Sequence, residues 1–501
     1  VIESENMTVE DIISLLKSPS KQDIDLVKRA YSFAEKAHEG QKRYSGEPYF
    51  SHLAQTARYL AEIGMGSVTI SAGLLHDVVE DTPVTKEELE EEFGKEISFL
   101  VEGVTKLGTV RYRGSDRYNE SLRKLFVATS QDIRVLIIKL ADRLHNIRTI
   151  EHVPEEKRKR IATETLEIYA PVAYRLGIRR LSRELENGAF PYVYPDEYKE
   201  MQALTKERHY RDISILDKFR KSLKKLLGSK SIKLIRTEYR VKSLYSLYKK
   251  WIEKNKDMEK IYDYLALRVM VPTVEDCYKA LGLIHNKWRP LPGRIKDYIA
   301  FPKPNGYQSL HTTVLTGDGG VVEIQIKTEE MYRESEFGIA AHISYKTRNS
   351  KMSTIEWIRS LLPTSSLTTE EQKVSDVPNW IKDMVKYQDE GDKGDGKLPE
   401  MKTDFLKERI FTFTPQGDVI DLPIDSTVID FAYSVHSNIG DKAHGAYVNG
   451  KFVSLDTKLE NGDIVKIETT PKGKPTQKWL DFAKTATAQR HIRSTLKQLK
   501  Q

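Results

Sequence analysis

A single cysteine, Cys277, stands among the 501 residues. One thiol excludes a disulfide within the chain and any zinc module built on paired cysteines, and it fits a reducing cytosol. No apolar run is long enough to cross a bilayer, which argues against a membrane-spanning helix and a membrane partner. The opening stretch "VIESENMTVEDIISLL" is polar and acidic and does not read as a secretory signal. An excess of one charge is also missing: 80 basic residues face 73 acidic ones, a formal net charge of +7. That balance suits anionic substrates or RNA without requiring either, and nothing in it points to DNA. No internal repeat is visible. The expectation is a cytoplasmic chain with room for several cores.

From about residue 8 to 190 the pattern is helical. Apolar residues recur at three- and four-residue spacing in "IDLVKRAYSFAEKAH", "AQTARYLAEIG" and "TETLEIYAPVAYRLG". Gly40, Gly64, Gly94 and Gly177 sit where helices should stop. From about 200 to 345 the pattern mixes. "YDYLALRVMV" and "VVEIQIKT" read as strands, "GDGG" as the hairpin turn before the second, and "SLYSLYKKWIEK" as a helix. The polar, glycine-containing "DEGDKGDGKLP" marks a linker. Short alternating runs follow, with one helix, "VIDFAYSVHSNIG", and the turn dipeptides Asn449-Gly450 and Asn461-Gly462. The boundaries expected are 1–195, all-helical; 196–345, α/β; 346–404, a linker with short helices; 405–470, a small sheet on a helix; and 471–501, the start of a helical region.

Residues 72–82, "AGLLHDVVEDT", set four ionisable side chains into an otherwise apolar helical run. Buried charge is costly unless it is paired or bound to a metal. On a helix, residues four apart share a face, so His76 sits above Glu80 and Asp77 above Asp81. His and Asp suit a divalent ion of borderline or hard character. The same domain offers His52 in "EPYFSHLAQT" and Asp142 in the otherwise apolar "IIKLADRLHNIRT". His52, His76, Asp77 and Asp142 would form a two-nitrogen, two-oxygen set with positions left for water and substrate. A metal there lowers the pKa of its water, and Glu80 and Asp81 could orient that water or protonate a leaving oxygen. The alternative is a helix whose buried salt bridges are simply satisfied.

"RYSGEPYFSH", "LLHDVVEDT" and "IIKLADRLHNIRT" resemble the HD-type hydrolase domain of long RelA/SpoT homologues, bifunctional enzymes that make and destroy (p)ppGpp. The resemblance implies Mn2+ on His52, His76, Asp77 and Asp142, with Glu80 and Asp81 serving the water attack that removes the 3′-pyrophosphate. It also implies Arg43 against the guanine and Ser45, Asn146 and Thr149 lining the nucleotide pocket. Leu53 stands where the family usually has proline, and "RYRGSDRYNESLRKLF" matches the family only loosely.

Residues 293–313, "GRIKDYIAFPKPNGYQSLHTT", combine Arg294, Lys296, Lys303 and His311 with a glycine- and proline-containing loop and with Tyr307, an aromatic that can stack on a base. Asp263 precedes the strand "LALRVMV". On "VVEIQIKT", Glu323, Gln325 and Lys327 share one face and Val322, Ile324 and Ile326 the other. Two carboxylates beside a basic loop suit Mg2+ and phosphoryl-type transfer, where the protein positions groups and neutralises charge.

This stretch is similar to the RelA/SpoT synthetase domain. The resemblance implies transfer of pyrophosphate from ATP to the 3′-hydroxyl of GDP or GTP, with AMP leaving. Asp263 and Glu323 would hold Mg2+, and Glu323 would be the base. Tyr307 would stack on the acceptor guanine, and Arg294, Lys296, Lys303, Asn305 and His311 would surround phosphates. "YRVKSLYSLYKK" resembles the ATP-binding segment, with Arg240 against adenine and Lys242 and Ser246 near phosphates. Lys249 and Lys327 replace the family's usual arginines, which keeps charge but loses the bidentate fork. Ile343 replaces an aromatic. These departures lead us to expect weak synthesis.

"FTFTPQGDVIDLPIDSTVIDFAYSVHSNIGDKAHGAYVNGKFVSLDTKLENGDIVKIET" is similar to a TGS domain. In this family such a domain implies contact with the ribosome and uncharged tRNA, with His436 at the tRNA. The alternative is that His436 merely caps or packs its helix. Zinc-finger-like and ACT domains follow in the family and are not seen before Gln501, so the chain is expected to be an excised piece or a short natural form. The resulting fold class is an all-α HD-type hydrolase domain, an α/β nucleotidyltransferase-like synthetase domain and a small β-grasp TGS domain. The competing reading is a nucleotide-sensing regulator, associated with ribosome or tRNA, that is mainly a hydrolase with an impaired synthetase. An HD phosphohydrolase for another nucleotide is a third, and the intact "NGYQSLHTT" loop counts against it.

Overall fold

The computed structural model describes residues 7–108, 132–230, 232–261, 264–303, 307–317, 320–338, 409–416, 419–460, 462–471 and 473–498. Asp263, Asn305, Ile343, the 346–404 linker and "RYRGSDRYNESLRKLF" lie outside these residues. The chain divides into two compact units, residues 1–386 and 387–501. No described helix is long and apolar enough to cross a membrane.

The expected helical region is helical. α1 (Lys21–Ala37) opens on a capping box, Ser20 against Asp23, which satisfies orphan amides at its first turn. α2 (Phe50–Glu62) and α3 (Ser67–Leu75) follow, and Ile70, Leu74 and Leu75 of α3 are fully buried. The four glycines predicted to stop helices all have positive φ, from 75° at Gly177 to 87° at Gly64, a conformation that L side chains rarely adopt. The single helix expected over 72–82 is two. α3 ends at Leu75, His76 and Asp77 form the break, and α4 spans Val78–Asp81. α5 (Ile133–Arg148) packs against α2 and brings Asp142 to the same place.

Helix α6 (Arg179–Val193) is followed by the 35-residue α7 (Pro195–Ser229). Proline supplies a helical φ at α7's first turn and disfavours helix at Tyr194 before it. β1 (Arg236–Val241), α8 (Leu244–Glu253), β2 (Leu265–Val271), α9 (Val274–Lys287), β3 (Lys296–Asp297), β4 (Leu310–Leu315), β5 (Val321–Thr328) and α10 (Glu329–Phe337) complete the region. The sheet order is β1-β2-β5-β4-β3, and only β2 and β5 pair in parallel. Val322, Ile324 and Ile326 enter one core with Leu265, Leu267 and Val269, as their alternation requires. Phe190 of α6 and Met201, Phe219 and Leu223 of α7 join them, so the sheet's core starts before residue 196.

In the second unit, β6 (Arg409–Phe413) pairs with β7 (Val419–Pro423). β8 (Ala443–Val448) lies between β9 (Lys451–Val453) and β10 (Val465–Thr469). Asn449 and Gly450 both have positive φ, 51° and 83°, as a tight hairpin turn requires. The one helix expected here is also two, α11 (Val428–Val435) and α12 (Ser437–Asp441), because His436 is extended at φ −167°. The unit runs past the expected end at 470. Buried Asp430 accepts from the backbone amides of Lys484 and Thr485 at 2.9 and 2.7 Å and pins the start of α13 (Ala486–Gln498), whose Ala488 and Ile492 are fully buried.

Candidate active sites

α2, α3 and α5 converge on a buried cluster of His52, His76 and Asp142, whose ligand atoms all lie within 4.8 Å of one another. His52 Nε2 is 3.2 Å from Asp142 Oδ1 and 3.6 Å from Asp77 Oδ2, and His76 Nε2 is 3.3 Å from Asp77 Oδ2. His76 Nδ1 meets the Gly73 carbonyl at 2.8 Å, which fixes the ring and turns Nε2 toward the carboxylates. That Nε2 is fully buried and has no hydrogen-bond partner among the described residues. An orphaned imidazole nitrogen facing two carboxylates and a second imidazole fits a divalent metal, whereas a merely satisfied ion-pair helix would leave no such atom.

The surroundings handle charge. Burial lowers the basicity of His52, keeping it the neutral ligand that a metal takes. Burial opposes the Asp142 carboxylate, yet Lys139 at 2.7 Å, His52 and His76 hold its pKa well below the ordinary value. Glu80 and Asp81 lie at the exposed mouth. Partial burial first, and then the charge of Asp77, raise the Glu80 pKa. Arg43 reaches in from the loop before α2, its Nη2 donating to Asn146 Oδ1 at 2.7 Å, while Asn146 Nδ2 donates to Asp142 Oδ1 at 2.6 Å. The candidate nucleotide side chain Asn146 is therefore tied directly to a candidate ligand, and Arg43 is tied to it through Asn146. Thr149 caps the same helix, its hydroxyl donating to the His145 carbonyl, and Ser45 sits in the turn beside Glu47.

Sequence reasoning passed over Tyr49, Lys139 and His145. The Tyr49 hydroxyl is 2.8 Å from Oδ2 of both Asp77 and Asp81. His145 Nδ1 lies 2.9 Å from His52 Nδ1, and burial with the charges of His52 and Arg43 pushes its pKa down to about 2. The signal for two of them was positional. Lys139 and His145 stand three residues either side of Asp142, on turns that share its face.

The second candidate site is built on β5 and β4, the central strand of the five-stranded sheet and its neighbour. Glu323 on β5 accepts from Gln325 Nε2 at 2.9 Å and lies 3.6 Å from His311 Nδ1 on β4. His311 Nε2 meets the Tyr307 hydroxyl at 2.7 Å, and Lys327 Nζ donates to the same hydroxyl at 3.3 Å. Lys303 is brought over Tyr298, with its Nζ 4.7 Å from the ring centroid. Burial, and then Arg179, Lys296, Arg240 and Lys242, pull the Lys303 pKa down to about 7. Burial followed by Lys327, Lys303, Arg240 and Arg179 holds His311 far below its ordinary value, so it is neutral here. Four cations of the two candidate nucleotide segments, Arg240, Lys242, Lys296 and Lys303, thus lie close enough to act on one another. Arg294 lies in the loop just before β3.

Two residues of this site are buried. Lys327 is 1% exposed, tucked under Tyr307 and Ser335. The Tyr307 ring is 4% exposed and carries the Arg179 guanidinium 4.0 Å from its centroid. Ser246 donates to Glu186 Oε2 at 3.0 Å. In the second unit, exposed His436 caps α12, its Nδ1 accepting from the Asn438 amide at 3.2 Å.

Three regions match known families: residues 30–179 the HD domain, 239–350 the region found in RelA/SpoT proteins and 410–469 the TGS domain. The chain is 42% identical to a GTP pyrophosphokinase of Myxococcus xanthus, over 95% of this chain and 61% of that protein. It is 41% identical to the guanosine-3′,5′-bis(diphosphate) 3′-pyrophosphohydrolase of Aquifex aeolicus, over 98% of this chain and 67% of that one. Against the bifunctional (p)ppGpp synthase/hydrolase SpoT of Escherichia coli K12 the identity is 39%, over 98% and 68%. The chain thus spans roughly three-fifths to two-thirds of these relatives' lengths.

Proposed function

The chain belongs to the RelA/SpoT family, and on that premise we propose that it both makes and destroys (p)ppGpp, in two separate pockets of its first unit. The observation that carries the reading is the orphaned His76 Nε2 facing His52, Asp77 and Asp142.

For hydrolysis, His52, His76, Asp77 and Asp142 would hold Mn2+, which would supply Lewis acidity and a water of lowered pKa. The chain does the rest. Arg43, Ser45, Asn146 and Thr149 hold the guanosine end, Tyr49 fixes Asp77 against Asp81, and Asp81 orients the attacking water. Glu80, with its raised pKa, is the acid that protonates the leaving 3′-oxygen. Water attacks the phosphorus next to that oxygen, its bond to the 3′-oxygen breaks, and pyrophosphate leaves.

For synthesis, Arg240, Lys242, Ser246, Arg294, Lys296, Lys303 and Asn305 neutralise and hold the phosphates of ATP and of GDP or GTP. Mg2+ on Asp263 and Glu323 would add charge neutralisation. Glu323, held by Gln325, takes the proton from the 3′-hydroxyl. The 3′-oxygen then bonds to the β-phosphorus of ATP, the bond from that phosphorus to the bridging oxygen breaks, and AMP leaves. Tyr307 receives the acceptor guanine once Arg179 is off its ring. The TGS domain, with His436 exposed, meets the ribosome and uncharged tRNA in the cytoplasm.

Asp77→Ala abolishes ppGpp breakdown by losing the ion, while Glu80→Gln keeps the ion and loses rate. Full-speed hydrolysis after chelation would remove the metal assignment. One alternative has support of its own: the buried place of Lys327 favours a mainly hydrolytic regulator. It predicts no ppGpp from ATP and GDP at any Mg2+ concentration.

A further inference from the structure

Helix α6 reads "RRLSRELENG" over its first turns. Positions 179, 183 and 186 lie on one face, and 180, 184 and 188 on another. The second face belongs to the hydrolase. Glu184 pairs with Arg148 of α5, Arg180 reaches Glu62 of α2 at 3.1 Å, and a Cβ on Gly188 would stand 3.0 Å from two Ile147 carbons, so the two helices touch almost backbone to side chain.

The first face belongs to the synthetase. Arg179 lies flat enough on Tyr307 to put its guanidinium carbon 4.0 Å from the ring centroid. Arg183 reaches Glu336 of α10 at 2.5 Å, and Arg268 of β2 shares that carboxylate at 2.8 Å. Glu186 accepts from the hydroxyls of Ser243 and Ser246 at 3.3 and 3.0 Å and lies 3.7 Å from Lys249. A planar, delocalised cation therefore occupies the ring where a base would stack. A carboxylate occupies the hydroxyls and ammonium where phosphate oxygens would bind.

We propose that Arg179 and Glu186 are further determinants of nucleotide affinity in the synthetase, acting as built-in competitors: Arg179 for the guanine and Glu186 for the ATP phosphates. The proposal rests on the synthetase reading of the previous subsection. The chemistry favours competition over assistance. Tyr307 is almost fully buried beneath Arg179, so a base reaches the ring only by displacing the guanidinium. A carboxylate among phosphate ligands repels the substrate and cannot coordinate it. The docked state is also displaceable, because Arg179 Nη2 is left buried with no hydrogen-bond partner among the described residues. An unmet cationic donor weakens the contact it belongs to.

The test uses the full chain in an Asp77→Ala background, where hydrolysis does not consume product. Steady-state synthesis gives KM for GDP, and calorimetry gives the Kd of α,β-methylene-ATP with Mg2+. Arg179→Ala should lower the KM for GDP, and Glu186→Gln should tighten the ATP analogue. Each effect should be about fivefold or more, the low end of ordinary coupling between sites, with kcat little changed. Tyr307→Ala should raise the KM for GDP. Glu186→Gln keeps a hydrogen-bonding group of the same shape, and a kept kcat in Arg179→Ala shows that its pocket still forms. A raised KM in Arg179→Ala would make that residue a substrate ligand, and unchanged constants in both variants would make the contacts structural only. Either result overturns the proposal. No product and no analogue binding in the parent or any variant would instead sink the synthetase reading, and the competition with it.

Discussion

The hydroxyl of Tyr49 stands 2.8 Å from Oδ2 of Asp81, and it stands equally far from Oδ2 of Asp77. One phenol therefore spans a candidate metal ligand and a candidate water-orienting carboxylate. Removing a group that orients metal ligands ordinarily costs about 10–100-fold in metal affinity or activity. Tyr49→Phe should lose ppGpp hydrolysis by that order while the fold persists, since the ring still stacks on His38. Mn2+ titration of the metal-free protein, read beside the hydrolysis rate, checks it. Unaltered Mn2+ affinity and unaltered rate would reduce the phenol to packing.

Lys303 carries a pH signature. Its folded pKa is pulled down to about 7, by burial first and then by Arg179 and neighbouring cations. The unfolded chain therefore binds a proton between about pH 7 and 10.5 that the folded pocket releases, so this group contributes stability that rises with pH across that window. A polyphosphate in the pocket reverses the sign by favouring the ammonium. At pH 8, α,β-methylene-ATP should bind with uptake of up to about one proton per site. Calorimetry in buffers of different ionisation enthalpy measures that uptake. The uptake should vanish in Lys303→Arg, whose guanidinium stays charged. Uptake of the same size in that variant would place the proton elsewhere.

Restoring arginine at position 327 should not raise synthesis. Lys327 is 1% exposed beneath Tyr307 and Ser335, and a larger guanidinium there overpacks the site, at about 1–3 kcal/mol. Thermal melts and synthesis rates of Lys327→Arg should show a lowered Tm and no gain. A faster enzyme with an unchanged Tm would mean that the lost fork, and not the packing, limits the reaction.

Much of the first site was legible in the sequence because its signal is chemical. Ionisable residues in apolar helical runs needed a reason, and His52, His76, Asp77 and Asp142 do converge. The break at His76 and Asp77 was not legible, since each residue is near-helical and carries no breaker. Tyr49 and His145 were missed because what they touch lies across the fold, at sequence separations such as the 93 residues between His52 and His145, whereas Lys139 pairs with Asp142 within one helix and was overlooked as an ordinary surface charge. The alternation of β5 placed Val322, Ile324 and Ile326 in the core. It could not tell that the opposite face is covered too, which is what buries Lys327. The role of α6 was invisible for a similar reason. Arg179, Arg183 and Glu186 look like an exposed charged face until Tyr307, α10 and α8 meet them.

The decisive measurement is a paired assay on this chain: ATP, GDP and Mg2+ in one tube, ppGpp and Mn2+ in another, for the parent, Asp77→Ala and Glu323→Gln. The parent should make ppGpp in the first and release pyrophosphate in the second. Asp77→Ala should lose only breakdown, and Glu323→Gln only synthesis. A parent lacking either reaction, or one substitution that abolishes both, would contradict two separate active sites in one chain.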